Sequence, residues 1–467
     1  KYGRLVNLDI APGFSAVTPV LGISPVGSLT DRHYPDSLVH PDKHGLEPRV
    51  ALAWHPLFGS SMVIRAGYGV YCNTSVYQGI APQMAQQAPL SKSFSVANSP
   101  ANPITLASGF NGAPGFTPNT FAIDPNFLAG YSQNWQLSVQ RDVLESMVVT
   151  ATYLGIKGTR ATQLFLPNTY PIGAANPCPT CPSGFTYMTS NGNSTREAGQ
   201  LQLRRRLHNG FTASVQYTYA KAFDDAALIG GRGGQGGGGG QGGGGGQGGG
   251  GGQGGGQGAA GGQAATAGQA ATAGQAGPAI AQNWQDLSAE RGPSSFDQRH
   301  QVTFQGQFTT GIGVAGGTLL RGWKGAALQG WTFVTNITVG SGMPLTPILP
   351  SVVTGTGVTG TSRPTVTGAP LYAAPAGLFL NPAAYTTPGL GQWGDAGRNS
   401  IAGPGQFAMN ASMGRSFGDF DVRFDSTNVL NHVTFPNWNT VVGSGNFGLP
   451  SSANAMRNLQ ATVRWRF

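Results

Sequence analysis

Cys178 and Cys181 stand in Asn-Pro-Cys-Pro-Thr-Cys-Pro, a C-x-x-C spacing suited to thiol–disulfide exchange or to half of a zinc site. Exchange needs the pair at a helix start within a βαβ unit, and no such unit surrounds this proline-rich stretch. A closed zinc site needs four ligands, and one pair supplies only two. A local loop-stapling disulfide in an oxidising compartment is therefore expected, with Cys72 left unpaired at a strand end. Gly355-Thr-Gly-Val-Thr-Gly360 matches the literal dinucleotide pattern, but Thr361-Ser-Arg-Pro364 follows where a helix must begin, so a loop is expected. Asp224-Asp225 and the group Asp419, Asp421 and Asp425 offer carboxylates to Ca²⁺ without EF-hand spacing, and solvated acids are the simpler reading. His300 sits beside Asp297 and Arg299, with no nucleophile or paired carboxylate nearby in sequence, so it reads as a hydrogen-bonding residue at a strand entry. No catalytic, cofactor or metal residue emerges, and the chain reads as a non-enzyme.

The remaining polar chemistry is cationic. The net charge is +9, yet the basic residues are scattered, and no basic stripe interleaved with aromatics points to nucleic acid. The densest spot, Arg204-Arg205-Arg206, reads as a strand end lining a water-filled lumen or an interface. An anion-attracting patch is the sharper alternative. Only 10% of residues are charged, against about a quarter in an average soluble protein. Glycine contributes 75 residues and proline 32, while the Glu and Lys that exposed helix faces draw on are scarce. Polarity comes instead from Asn, Gln, Ser and Thr. No apolar run approaches the roughly 20 residues of a spanning helix. If the chain crosses a membrane, it must do so as a closed barrel, since only helices and barrels satisfy every backbone group in lipid.

Alternation supports strands. Tyr131, Trp135, Leu137 and Val139 share one face, with Gln133 the exception, against Ser132, Asn134, Gln136, Ser138 and Gln140. Phe211, Ala213, Val215, Tyr217 and Tyr219 oppose Thr212, Ser214, Gln216 and Thr218, and Val302, Phe304 and Phe308 oppose Gln301, Thr303, Gln305 and Gln307. The polar faces are nearly uncharged, as a membrane barrel with one lipid face and one wet face requires. Strand starts fall at Arg49, Met62, Tyr131, Met147, Thr195, Phe211, Arg299, Gly330, Gln406, Phe420 and Asn458. Short turns alternate with long Gly/Pro/Asn-rich connections, the pattern of periplasmic turns and extracellular loops. His208-Asn209-Gly210 is a strong hairpin signal. Gly311–Gln329 strains the rule, being long where a tight turn is expected. A further strand at Tyr2–Ile10 brings the expected total to about twelve, an even number as bacterial barrels prefer. Residues 223–298 read as a long Gly/Gln-rich extracellular loop within one barrel region spanning 1–467.

The last strand sets Leu459, Ala461, Val463, Trp465 and Phe467 against Gln460, Thr462, Arg464 and Arg466. An alternating strand that stops on an aromatic residue resembles the β-signal by which outer-membrane proteins are inserted. The implied partners are the barrel-assembly machinery and outer-membrane lipid. An ordered set of further segments carries a family resemblance. It comprises Tyr131–Arg141, Ala151-Thr-Tyr-Leu-Gly-Ile-Lys-Gly158, Phe296-Asp-Gln-Arg-His300, Gly330-Trp331-Thr332-Phe333, Ser341-Gly342-Met343-Pro344, Gly397-Arg-Asn-Ser400 with Gly403-Pro404, and Asn428-Val-Leu-Asn-His432. Together they cover most of the chain after about residue 45 and resemble the C-terminal barrel region of TonB-dependent receptors of the acidobacterial Oar-like, carboxypeptidase regulatory-like kind.

The resemblance implies energy-coupled uptake across the outer membrane through a barrel of about 22 strands, gated by an N-terminal plug that TonB pulls. No Ton box and no plug are visible in these residues, so the chain is expected to be the C-terminal half of such a barrel. Arg49, Arg65, Arg204, Arg206, Arg423 and Arg464 are the candidates for facing the lumen, where they would draw an anionic substrate or contact a plug. A surface-anchoring or adhesive protein with Gly-rich loops and a passive porin are the competing expectations.

Overall fold

The computed structural model describes residues 2–43, 45–56, 61–91, 121–144, 146–182, 185–225, 280–312, 322–350 and 362–465. Its strands used below are β1 (Val6–Ile10), β2 (Val17–Leu21), β3 (Arg49–Trp54), β4 (Val63–Cys72), β5 (Phe121–Ile123), β6 (Tyr131–Leu144), β7 (Met147–Phe165), β8 (Thr186–His208), β9 (Phe211–Asp224), β10 (His300–Thr309), β11 (Thr332–Gly340), β12 (Gln406–Phe417), β13 (Phe420–Thr427) and β14 (Asn458–Trp465). Two helices matter: α1 (Val76–Ala85) and α2 (Gly322–Leu328).

Eleven strands, β3, β4 and β6 to β14, form one antiparallel meander in which sequence neighbours are spatial neighbours. Register follows the alternation. Tyr68 lies opposite Trp135, Leu137 opposite Tyr153, Leu201 opposite Tyr217, Val302 opposite Val339 and Phe424 opposite Ala461, so apolar side chains meet across every seam on one face. The opposite face pairs Arg65 with Ser138, Gln202 with Gln216, Gln305 with Asn336 and Asp425 with Gln460. A slip of one residue would turn each apolar set onto the polar face, which is why the pattern fixes register so firmly. The apolar face is not covered by protein: Leu201, Phe308, Phe333, Val463 and Trp465 all lie exposed.

Local chemistry sets the turns and the twist. Asn209 and Gly210 carry φ of 52° and 74°, the left-handed pair that a two-residue hairpin needs, and they join β8 to β9. Gly155 lies opposite Trp135, and a Cβ built on it would stand 2.1 Å from the indole ring. The missing side chain is the seat of the tryptophan, an aromatic shielding a strand glycine.

The long-loop end is a packed structure. There β1 and β2 pair with each other and not with the meander. Their core joins Val20, Tyr34 and Leu38 to Val76, Ile80 and Met84 of α1, to Phe121, Ile123 and Phe127, and to Leu164 and Met188 on β7 and β8. The expected barrel strand at Tyr2–Ile10 is thus a hairpin of its own, and the meander holds eleven described strands instead of about twelve. The physical reason is that Val6, Asn7, Leu8 and Asp9 are all buried, leaving no lipid-facing side. Asn7 and Asp9 alternate with apolar residues as a membrane strand would, but their polar groups are satisfied inside the protein. A second core, of Leu349, Leu380, Ile401, Val442 and Phe447, binds the later loops together. At the other end, the Gly311–Gln329 connection contains α2 instead of a tight turn.

Candidate functional site

The polar face of the meander and the loops above it make up the candidate site. Register places Arg49, Arg65, Arg204, Arg423 and Arg464 on that face, opposite Gly69, Ser138, Val148, Gly414 and Asp421. Arg65 donates to Gln140 Oε1 at 3.0 Å, Arg49 pairs with Glu47 at 2.8 Å and Arg423 with Asp425 at 2.7 Å. Arg206 sits at the short-turn rim and donates to both carboxylate oxygens of Asp142, at 3.0 and 3.2 Å. Arg205, between two candidates, points to the apolar face and covers the Phe211 ring at 5.2 Å. The run of three arginines is therefore divided between both faces. Leu459, Ala461, Val463 and Trp465 share the apolar face with β13, while Phe467 lies outside the described residues.

Above the wall, a buried ionic node ties the loops to the end of β9. Asp224 is buried and ion-paired with Arg398, whose Nε also donates to the Glu290 carbonyl at 2.7 Å. Arg363 donates to both carboxylate oxygens of Glu290, at 2.9 and 2.8 Å, with both partners buried. Gln282 joins them, its backbone N–H donating to Glu290 and its side-chain oxygen accepting from Arg363 N–H. Asn399 donates to the Pro293 carbonyl at 2.7 Å, and Asp297 accepts from Ala222 N–H at 2.7 Å and from Arg299 at 2.9 Å. Each buried charge has a partner, as burial demands.

The node corrects the solvated reading of Asp224, which is buried and paired. It also absorbs two of the family-like segments, at 296–300 and 397–400, whose role the sequence does not disclose. Glu290 and Arg363 carry no recognisable signal, since they are far apart in sequence, one closing a single 3-10 turn and the other in a loop. Asp225 instead accepts from Asn193 N–H. Asp425 is occupied by Arg423, and Asp421 accepts from Ser416 at 2.6 Å. No group of three or more His, Cys, Asp and Glu that would hold a metal exists among the described residues. His300 exchanges a 2.8 Å hydrogen bond with Tyr217 across the β9–β10 seam, on the apolar face. Cys178 and Cys181 are joined as a disulfide in the β7–β8 loop. The Gly355–Gly360 motif and the Gly230–Gly262 tract lie outside the described residues.

The N-terminal hairpin offers a cavity of about 220 Å³, lined by Phe14, Arg32, Tyr34, Asp124 and Tyr187 among others. Beside it, Asp9 accepts from Leu29 N–H, Thr30 N–H, Thr30 Oγ1 and Tyr34 OH at 2.6 to 3.1 Å. Burial pushes the Asp9 carboxyl up, but these four donors outweigh it and hold the group below its ordinary value. Burial, with the Asp9 charge beside it, raises the Tyr34 phenol to about 12.

A family model described as an outer membrane beta barrel domain matches residues 1–243 and 263–460. The chain belongs to that family. This barrel lies in the outer membrane, and no described helix is long and apolar enough to cross. Among solved structures, the barrel is similar to the outer membrane transporter YddB from Escherichia coli, at 9% identity and a TM-score of 0.46, covering 90% of this chain and 40% of that one. It is also similar to the ferric-catecholate import receptor Fiu from E. coli K12, at 10% identity and a TM-score of 0.38, over 90% and 34% of the two chains. The FrpB iron transporter from Neisseria meningitidis gives 8%, 0.40, 90% and 39%. The chain thus spans less than half the length of these proteins. No curated protein matches its sequence.

Proposed function

We propose that the chain forms part of the wall of a TonB-dependent receptor, of the Oar-like kind its sequence markers resemble, and that it takes part in energised uptake without catalysing a reaction. The observation that carries this is the asymmetry of the meander: short turns at one end, with the α2 connection the exception, and at the other loops built into a cored, ion-paired cap above a polar wall bearing arginines. Arg49, Arg65, Arg204, Arg206, Arg423 and Arg464 would face the lumen and favour an anionic ligand. TonB would act through a plug, which the described residues do not form. The terminal strand, ending at Phe467, would address the barrel-assembly machinery.

The test is uptake by cells carrying or lacking the full gene, supplied with radiolabelled anionic ferric chelates. Uptake that depends on the gene and stops when the proton gradient is collapsed is the expected result. Uptake that persists without the gradient would favour a passive porin and sink the energised reading. If losing the gene reduces only surface attachment, the adhesive alternative stands.

A further inference from the structure

The connection between β10 and β11 is at the short-turn end, where the barrel needs only a tight turn, yet it carries α2, Gly-Trp-Lys-Gly-Ala-Ala-Leu. Seven residues are too few for a helix to persist in water on its own hydrogen bonds. None of the seven is buried, and Trp323 and Leu328 are 74% and 53% exposed. Protein packing therefore does not explain the helix.

What holds it is a clamp reaching out from the apolar face. Arg415 lies opposite Val422 on that face, and its guanidinium donates to the Ala326 and Ala327 carbonyls, each at 2.6 Å. These are orphan acceptors of the last helical turn, and a cation there also meets the negative end of the helix dipole. Trp331 Nε1 donates to the Ala327 carbonyl at 3.1 Å, and Trp331 packs edge-on against Phe417 at 5.9 Å. The Arg415 guanidinium covers Phe417 at 4.4 Å. Phe417 lies opposite Phe420, which stacks on Trp465. The helix is thus fixed to the rim of the surface that meets lipid, continuous with its aromatic end.

Resting on the reading of the apolar face as lipid-facing, we propose that α2 is an interfacial anchor. It seats Trp323 and Leu328 in the headgroup layer of the phospholipid leaflet on the short-turn side, with Lys324 beside the phosphates. Tryptophan is favoured at that depth because its ring is apolar and its N–H is polar. A basic residue next to it matches the headgroup charge, and the exposed Trp323 and Leu328 side chains lose their contact with water on entering the interface. Arg415 acts as the positioning residue.

The experiment places an environment-sensitive fluorophore at Trp323→Cys, in a Cys72→Ser background, in the full receptor within its outer membrane and again in pure phospholipid vesicles. The Cys178–Cys181 disulfide does not react. Expected is a blue-shifted emission quenched by lipids spin-labelled near the headgroup, in both settings, while a label at Asp419→Cys in the neighbouring tight turn stays water-like. Arg415→Met should reduce the quenching at position 323. A water-like label at 323 would overturn the anchor. So would protection in native membranes but not in vesicles, which would mean a periplasmic protein covers the helix. A label at Val215→Cys, mid-strand on the apolar face, separates the two readings. If it is quenched by deeply placed spin labels while 323 is not, the barrel stands and only the anchor falls.

Discussion

Arg398 joins three segments far apart in sequence through one guanidinium, so its removal leaves Asp224 buried without its counter-charge. Breaking a buried pair from one side costs about 3–5 kcal/mol, far more than a surface pair is worth. Arg398→Met is expected to loosen the loop cap and leave the strands intact, read as amide exchange that rises in residues 280–299 and not in β10 to β13. Asp9 gives a pH-dependent counterpart. Its folded pKa is depressed below 3.8, so its stabilisation is present above the unfolded value and is lost as pH falls through the folded one. Tyr34 has the opposite sense: raised from 10.0 to about 12, it favours the hairpin below pH 10 and stops doing so as pH climbs through 12. Protection of the Leu29 and Thr30 amides, taken relative to the intrinsic exchange rate at each pH, should therefore fall at both extremes, and Asp9→Ala should show the lowered protection at neutral pH. If Asp9→Ala exchanges like the wild type, the four-donor account is wrong. The faces of the strand arginines could be read from alternation because a strand's period is two. The node could not, because its members are joined only by loops that have no period.

At the level of elements, the starts of the meander strands were legible because each combines alternation with turn chemistry. The start of Phe211–Asp224 right after Asn209-Gly210 is the clearest instance, whereas β8 begins at Thr186, well before the expected Thr195. What misled was β1, whose Val-Asn-Leu-Asp-Ile alternates as well as any barrel strand. Periodicity reports that two faces differ, not that one of them is lipid. The α2 helix escaped notice because its sequence has neither a cap nor an apolar stripe, and its support comes from Arg415, well downstream. Gly155 yields a test of cross-strand fit. Gly155→Val puts a branched side chain where the Trp135 ring lies, and overpacking of this kind costs about 1–3 kcal/mol. Slower assembly into the heat-resistant folded form on gels is expected, with partial rescue by Trp135→Leu. Failure of that rescue would show that glycine is needed for the backbone and not for the ring.

For the whole molecule, the two outer strands of the meander set a constraint. β3 and β14 both run from the long-loop end to the short-turn end, since eleven antiparallel strands separate the first from the last by an even number of reversals. Closing the wall by antiparallel pairing takes an odd number of further strands between them. Cysteines at Ala51 and Thr462, on the polar face of each edge, are accordingly expected not to form a bridge in the assembled receptor. A bridge would mean an eleven-stranded barrel closed on a parallel seam.

The Gly/Gln tract lies between two feet that are both pinned. On one side, Gly292–Pro293 pairs with Phe223–Asp224, and Asp225 is bonded to Asn193. On the other, Ile280–Ala281 pairs with Leu164–Phe165 and Gln282 enters the ionic node. The wall therefore senses where the tract starts and stops, not how many residues it contains. Each doubling of a loop's length costs only about 0.6 kcal/mol of closure entropy. Deleting Gly230–Gly262 should leave both the melting of the barrel and uptake unchanged. Copying errors in such a repetitive stretch would then change its length from one generation to the next without disturbing either pinned foot.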